Sequence, residues 1–169
     1  MKKMCRLCSY QAHSLQQSGG GLAEYAVASV KLAVRRPPGV SAADGAGLPI
    51  AAGTALQSLR SIGARFDSTS GSKPLNVLVT AASGGVGHYA VQLAKLAGLH
   101  VTATCGARNL GLVRGLGADE ALDYKTPEGA RLRSPSGRKY DAVMHCATGT
   151  PCRGRCSRRR WPARPRSST

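Results

Sequence analysis

Hydrophobic and polar positions change period along the chain, and the changes predict where strands give way to helices. Between residues 75 and 99, the apolar run Val77, Leu78 and Val79 is typical of a buried parallel strand. A glycine turn follows. Apolar positions then recur at helical spacing, namely Val91, Leu93, Ala94, Leu96 and Ala97. Strand, turn and helix in this order are what a phosphate-binding turn requires.

Similar patterns on both sides of this unit predict an α/β fold, a doubly wound parallel sheet. Strands are predicted at 101–104, 120–124 and 140–145, and a short helix ended by Gly117 at 110–116. Residues 22–34 are rich in strand formers and meet a turn at Pro37 and Pro38. Ser41 is a predicted N-cap of a helix over 42–48, and Pro49 or Gly53 should interrupt it before a second helix at 54–62.

The glycine turn predicts a site for a pyrophosphate. Gly84 allows a tight turn, Gly85 leaves the backbone bare, and Gly87 lets the helix pack closely on the strand. We expect backbone donors of Ser83, Gly84, Gly85, Val86 and Gly87 to bind the pyrophosphate. The spacing departs from the GxGxxG pattern, so the alternative of a turn that binds no ligand stays open.

The end of the second strand carries no acid. Sites for NAD place Asp or Glu there to bind the ribose 2′-hydroxyl, whereas residues 105–109 supply Arg108 and Asn109. The guanidinium of Arg108 suits a 2′-phosphate because its planar fork makes bidentate hydrogen bonds to phosphate oxygens. The sequence therefore favours NADP (NADPH) as the cofactor.

Six segments share one family likeness. They read GGGLAEYAVASVKLAV, LPIAAGTALQSL, AASGGVGHYAVQLAKLAG, TATCGARN, LGADEALDYKTPEG and KYDAVMHCATG. Together they resemble the zinc-independent quinone oxidoreductases of the medium-chain dehydrogenase/reductase family, from about Gly19 to Gly149. The resemblance implies a remnant of a GroES-like catalytic β domain at 19–40 and a truncated NADP-binding Rossmann domain at 41–149. It also implies hydride transfer from NADPH to a quinone or an α,β-unsaturated carbonyl, without a metal.

The resemblance carries over further site residues. Gly106 and Tyr124 would join Arg108 and Asn109 around the 2′-phosphate. Cys146 and Ala147 would end the fourth strand at the cofactor crevice, and Thr54 would lie toward the nicotinamide; structural roles for Thr54 and Cys146 stay open. His100 and His145 are expected to be structural, and no catalytic residue is identified.

Because no proton donor or substrate pocket is identifiable, two alternatives to an NADPH-dependent reductase stay open. One is a non-catalytic nucleotide-binding or interaction fragment, and the other is the product of a damaged gene. We expect the chain as written to fold poorly alone and not to reduce a quinone or an enone, since a sheet that ends after its fourth strand leaves strand edges unpaired.

Charge is concentrated at the ends of the chain. The net charge is +16, yet residues 19–149 hold fourteen basic and eight acidic residues. The tail at 150–169 has seven arginines and no acid, so we expect it to be disordered and to bind polyanions without selecting a specific nucleic acid. Residues 1–18 are unlike the family and are expected to be unrelated or disordered.

Cysteines and hydropathy exclude several classes of protein. Cys5 with Cys8, and Cys152 with Cys156, have zinc-like spacing but lie in the segments least expected to fold, so no metal is predicted. Six cysteines without a secretory signal favour a reducing compartment. No apolar run approaches the roughly 20 residues of a membrane span, which predicts a soluble or peripheral protein. A chloroplast-envelope location is implied only by resemblance to plant members of the family, a cytoplasmic one stays open, and the oligomeric state is not indicated.

Overall fold

The computed structural model describes residues 7–9, 33–66 and 74–147. Its strands are β1 (Leu7–Ser9), β2 (Ala33–Arg35), β3 (Asn76–Thr80), β4 (His100–Cys105), β5 (Glu120–Asp123) and β6 (Ala142–His145). Its α-helices are α1 (Ala42–Gly47), α2 (Gly53–Ser61), α3 (Gly85–Leu96), α4 (Leu110–Gly115) and α5 (Pro127–Ala130). None of the helices in these ranges is long and apolar enough to cross a membrane.

Strands β3 to β6 form a parallel sheet in the order β5-β4-β3-β6, which confirms the predicted fold class. The chain moves outward from β3 to β4 and β5 and then returns to β6 on the other side of β3. The strand order therefore reverses between β3 and β6. In doubly wound sheets, ligands bind in the crevice at the carboxyl ends of the strands beside such a reversal.

Helix α3 covers this sheet and is the centre of the core. Ala90, Val91 and Ala94 on one face of α3 are fully buried, as are Val77 and Val79 of β3 beneath it. Helix α2 packs against α3 and buries Ala55 and Leu59. The small alanines let the helices and the sheet approach closely, and this close packing holds α3 in place on β3.

Residues before the sheet follow the predicted helix pattern with one correction. Ser41 caps α1, because its Oγ accepts the Asp44 N–H at 3.1 Å. The predicted interruption at Pro49 or Gly53 is wrong, since a π-helical turn (Leu48–Ala52) joins α1 to α2. Pro49 lies within the first two positions of that turn.

Two short elements between the strands were not predicted, and two strands are shorter than expected. A 3₁₀ turn (Ala107–Asn109) follows β4, and α5 follows β5. Strand β5 ends at Asp123 rather than at residue 124, and strand β6 begins at Ala142 rather than at residue 140. Gly117 ends α4 as predicted and has a φ of +102°. The predicted strand region at 22–32, the tail at 150–169 and residues 1–18 other than 7–9 lie outside the described residues. Leu7–Ser9 pair antiparallel with β2.

The amino edge of the sheet is held by the carboxylate of Glu120. Its Oε2 accepts the Thr102 and Ser134 hydroxyls, both at 2.7 Å, and its Oε1 accepts the Ser136 N–H at 3.2 Å. Partial burial raises the pKa of Glu120, but the hydrogen bonds from Ser136, Ser134 and Thr102 outweigh burial, so its pKa lies below the ordinary value. This carboxylate therefore ties the segment after α5 to β4 and β5.

Candidate nucleotide-binding site

The turn between β3 and α3 lies at the carboxyl edge of the sheet. Ala81 adopts a left-handed conformation with a φ of +50°, which turns the chain sharply away from β3. The Ala82 N–H then donates to the Thr104 carbonyl at 2.8 Å, and the Gly84 N–H donates to the Ala81 carbonyl at 2.9 Å. These bonds attach the turn to β4 and close it on itself.

The three glycines of this turn meet different surroundings. A Cβ on Gly87 would lie 2.2 Å from the Ala81 carbonyl oxygen and 2.8 Å from the Ala82 Cα, so only glycine lets α3 pack this closely on the turn. A Cβ on Gly84 would lie 3.2 Å from the same carbonyl oxygen. A Cβ on Gly85 would meet nothing within 4 Å, because this glycine faces open space.

The first turn of α3 can receive an anion. No side chain caps the helix, and its first turn contains no acid. The first helical hydrogen bond runs from the His88 N–H to the Gly84 carbonyl at 3.1 Å, so the N–H groups of Gly85, Val86 and Gly87 have no helical acceptor. Free N–H groups together with the helix dipole favour a negatively charged group at this end.

The residues expected around a 2′-phosphate lie together after β4 and β5. Arg108 is exposed, and Tyr124 keeps 52 % of its surface exposed. A Cβ on Gly106 would lie 3.8 Å from Tyr124 Cε1, so the phenol ring lies beside the Gly106 backbone. Asn109 differs from the other three, since its Nδ2 donates to Ser83 Oγ at 3.0 Å and thus contacts the glycine turn.

Cys146 and Ala147 follow β6 on the other side of the strand reversal. The Cys146 N–H donates to Thr80 Oγ1 at 3.3 Å, and His145 Nδ1 lies 2.9 Å from the same oxygen. Sequence reasoning missed Thr80, because a β-branched residue at the end of an apolar run reads as part of a strand. Only the parallel pairing of β3 with β6 shows that it faces residue 145.

The two cysteines of this edge have pKa values above the ordinary value of a thiol. Burial raises the pKa of Cys105 above its ordinary value, and the nearby Asp123 carboxylate raises it further. Burial likewise raises the pKa of Cys146. Neither side chain is therefore set up as a thiolate nucleophile.

Within the described ranges, Thr54 makes no hydrogen bond to the glycine turn. It lies in the first turn of α2, which packs against α3. The same ranges contain no group of three or more His, Cys, Asp and Glu side chains that could hold a metal ion. The cysteine pairs near the two termini lie outside them, and the expectation that no metal takes part stays a prediction.

Comparisons with known proteins agree with this geometry. Residues 85–153 match the family described as zinc-binding dehydrogenase. The chain is 68 % identical over 134 residues to the chloroplast envelope quinone oxidoreductase homolog of Arabidopsis thaliana, a match that covers 79 % of this chain and 40 % of that protein. It thus spans about 40 % of the length of that relative.

Two solved structures share the fold. The quinone oxidoreductase of Thermus thermophilus, solved also in complex with NADPH, is 36 % identical with a TM-score of 0.57, covering 67 % of this chain and 37 % of its own. The CurK enoyl reductase is 28 % identical with a TM-score of 0.61, covering 72 % of this chain and 36 % of its own.

The parallel sheet, the glycine turn and these matches define a segment of a medium-chain dehydrogenase/reductase. Within that class, the chain belongs to the quinone oxidoreductase family. The resemblance noted from its motifs is thereby confirmed.

Proposed function

We propose that this chain is the NADP-binding part of an oxidoreductase that transfers a hydride from NADPH to a quinone or an α,β-unsaturated carbonyl compound. The similarity to quinone oxidoreductases and to an enoyl reductase supports both acceptor classes. We also propose a chloroplast location, on the similarity to the chloroplast protein of Arabidopsis thaliana.

The observation that carries the proposal is the cradle formed by the glycine turn. Gly87 brings α3 onto the turn, and Gly85 leaves an open stretch of backbone next to the uncapped helix N-terminus. A pyrophosphate fits these residues because it needs close backbone approach, free N–H donors and no competing carboxylate. Backbone donors of residues 83 and 85–87 would bind it there, whereas the Gly84 N–H already donates to the Ala81 carbonyl.

The choice of NADPH over NADH rests on the residues after β4. Arg108 is exposed beside a turn that carries no acid, and the exposed Tyr124 lies against the neighbouring Gly106. A guanidinium attracts the two negative charges of a 2′-phosphate, while a ribose diol in NADH would lack the carboxylate that usually binds it. The Asn109 side chain would act indirectly, by joining this turn to Ser83.

Bound NADPH supplies the hydride. The residues of this chain bind the adenosine and pyrophosphate parts of the nucleotide and orient it across the strand reversal.

The test is a fluorescence titration of the 169-residue chain with NADPH and with NADH. We expect tighter binding of NADPH, with a preference that weakens as salt concentration rises. An Arg108→Glu variant should reduce the preference by roughly 10- to 100-fold, the range expected for a hydrogen-bonded charge pair. Arg138→Glu is a matched control, because Arg138 is equally exposed but lies in the segment at the opposite edge of the sheet.

Equal affinities for the two nucleotides, or an Arg108→Glu variant that keeps the preference, would contradict the assignment of Arg108.

Oxidation of NADPH by a quinone or an enone is then measured with the same protein. Turnover supports the reductase, whereas tight NADPH binding without turnover supports the alternative of a non-catalytic nucleotide-binding module.

A further inference from the structure

Thr80 makes two contacts at the reversal of the strand order. Its side chain is 4 % exposed, and its Oγ1 lies 2.9 Å from His145 Nδ1 and 3.3 Å from the Cys146 nitrogen. His145 is the register partner of Thr80 across β3 and β6, and its side chain is exposed. A buried hydroxyl thus holds an exposed imidazole at the carboxyl edge of the sheet.

The hydrogens of this cluster determine the tautomer of His145. The Cys146 N–H is a donor only, so Thr80 Oγ1 accepts from it and keeps one hydroxyl hydrogen to donate. No other acceptor for that hydrogen is present among the described residues, and a buried hydroxyl without an acceptor is unfavourable. The hydroxyl therefore donates to Nδ1, which requires the neutral ring of His145 to carry its proton on Nε2.

We propose that His145 binds the nucleotide through its Nε2–H and that Thr80 is the positioning residue that fixes this tautomer and the ring orientation. The acceptor would be an oxygen atom in the nicotinamide half of NADPH. This inference rests on the proposed nucleotide binding, and it assigns His145 a role beyond the structural one expected from the sequence.

The position of β6 in the sheet indicates that His145 would contact the nicotinamide half of the nucleotide. A dinucleotide crosses a doubly wound sheet at the reversal of the strand order, with one mononucleotide half on each side. Arg108 and Tyr124 follow β4 and β5, so the adenosine half would lie on that side of β3. His145 ends β6 on the other side of β3, where the nicotinamide half would lie.

The experiment compares two ligands, NADPH and 2′,5′-ADP, which has the adenosine and the 2′-phosphate but no nicotinamide half. We expect His145→Ala to raise the Kd for NADPH by about 3- to 10-fold, the effect of one lost hydrogen bond, and to leave the Kd for 2′,5′-ADP unchanged. Thr80→Val keeps the β-branched shape but removes the hydroxyl, and it should have the same effect. Thr80→Ser should bind like the wild type, and the Thr80→Val, His145→Ala double variant should be no weaker than either single variant.

Nitrogen-15 NMR of the histidine rings gives a readout that needs no ligand. In its neutral form, the ring of His145 should carry the proton on Nε2 and none on Nδ1, and Thr80→Val should remove this preference. His88 is an internal reference of the opposite tautomer, because its Nδ1 lies 2.9 Å from the Gly84 carbonyl oxygen and must donate to it.

The outcomes separate this inference from the proposed function. A folded wild-type chain that binds neither ligand would overturn the nucleotide site itself. Wild-type binding of NADPH with unchanged affinity in His145→Ala, or a ring protonated on Nδ1, would overturn only the role of His145. Equal losses for NADPH and 2′,5′-ADP would indicate a general disturbance of the edge and would also overturn it.

Discussion

Replacing Gly87 with alanine tests the packing on which the nucleotide cradle depends. The new Cβ would lie 2.2 Å from the Ala81 carbonyl oxygen, 2.8 Å from the Ala82 Cα and 2.9 Å from the Ala81 carbonyl carbon. All three are backbone atoms, so no side chain can rotate to make room. Either α3 must move away from the turn, or the turn must give up its hydrogen bond to β4.

Overpacking of a rigid interior costs about 1–3 kcal/mol, and we place Gly87→Ala at about 3 kcal/mol because the whole helix must shift. For a chain of this size, that loss lowers the Tm by about 6–12 °C. Thermal unfolding followed by circular dichroism measures the change. The loss is a large part of the 5–15 kcal/mol that typically stabilises a domain.

Gly85→Ala is the matched control for this substitution. Gly85 lies in the same first turn of α3, but a Cβ there meets nothing within 4 Å. Alanine has the higher helix propensity, so the Tm should stay at or above that of the wild type. NADPH binding should nevertheless weaken, because the methyl group would occupy the space that the pyrophosphate approaches. A Gly87→Ala variant that melts like Gly85→Ala would refute the close packing of α3 on the turn.

Three further predictions concern other parts of the fold. Glu120→Gln should lower the Tm at pH 7. The difference in Tm between this variant and the wild type should narrow as the pH falls below 4.5, the ordinary pKa of a glutamate, because Glu120 has a lowered pKa and its carboxylate stabilises the fold only while it is ionised. A difference in Tm that stays constant with pH would contradict this. Gly129→Ala should destabilise the fold far more than Gly111→Ala, because a Cβ at Gly129 would lie 1.8 Å from the Asp123 carbonyl oxygen and one at Gly111 would meet nothing; equal Tm values would contradict it. Iodoacetamide at pH 7.5 should label both Cys105 and Cys146 slowly, and rapid labelling of the 1 % exposed Cys105, detected by peptide mass, would refute its burial.

Sequence patterns predicted the sheet because each of its strands is marked locally. The apolar run at Val77–Val79 and the glycine at 117 depend on neighbours within a few residues, and the structure confirms both. The order of the glycines likewise indicated which of them packs against the strand and which stays open. As contacts to a nucleotide, these residues and Arg108 stay predictions.

The features that the sequence did not reveal depend on contacts between distant residues. The bond between Thr80 and His145 joins residues 65 positions apart, and it needs the register of β3 on β6. The π-helical turn at Leu48–Ala52 was not predicted, because proline and glycine usually end helices. In the structure, packing of this segment against α3 keeps it helical. Residue propensities are weak wherever tertiary packing opposes them.

The hydrogen bond from Asn109 to Ser83 has a consequence for the thermodynamics of ligand binding. Loops that are ordered only on binding reduce affinity, because their conformational entropy is lost at that moment. Here the two loops that would hold the pyrophosphate and the adenosine 2′-phosphate are already joined by a hydrogen bond of 3.0 Å between side chains of the protein itself. Their relative position is settled during folding, so a ligand spanning them meets a preorganised surface and associates without waiting for the loops to close.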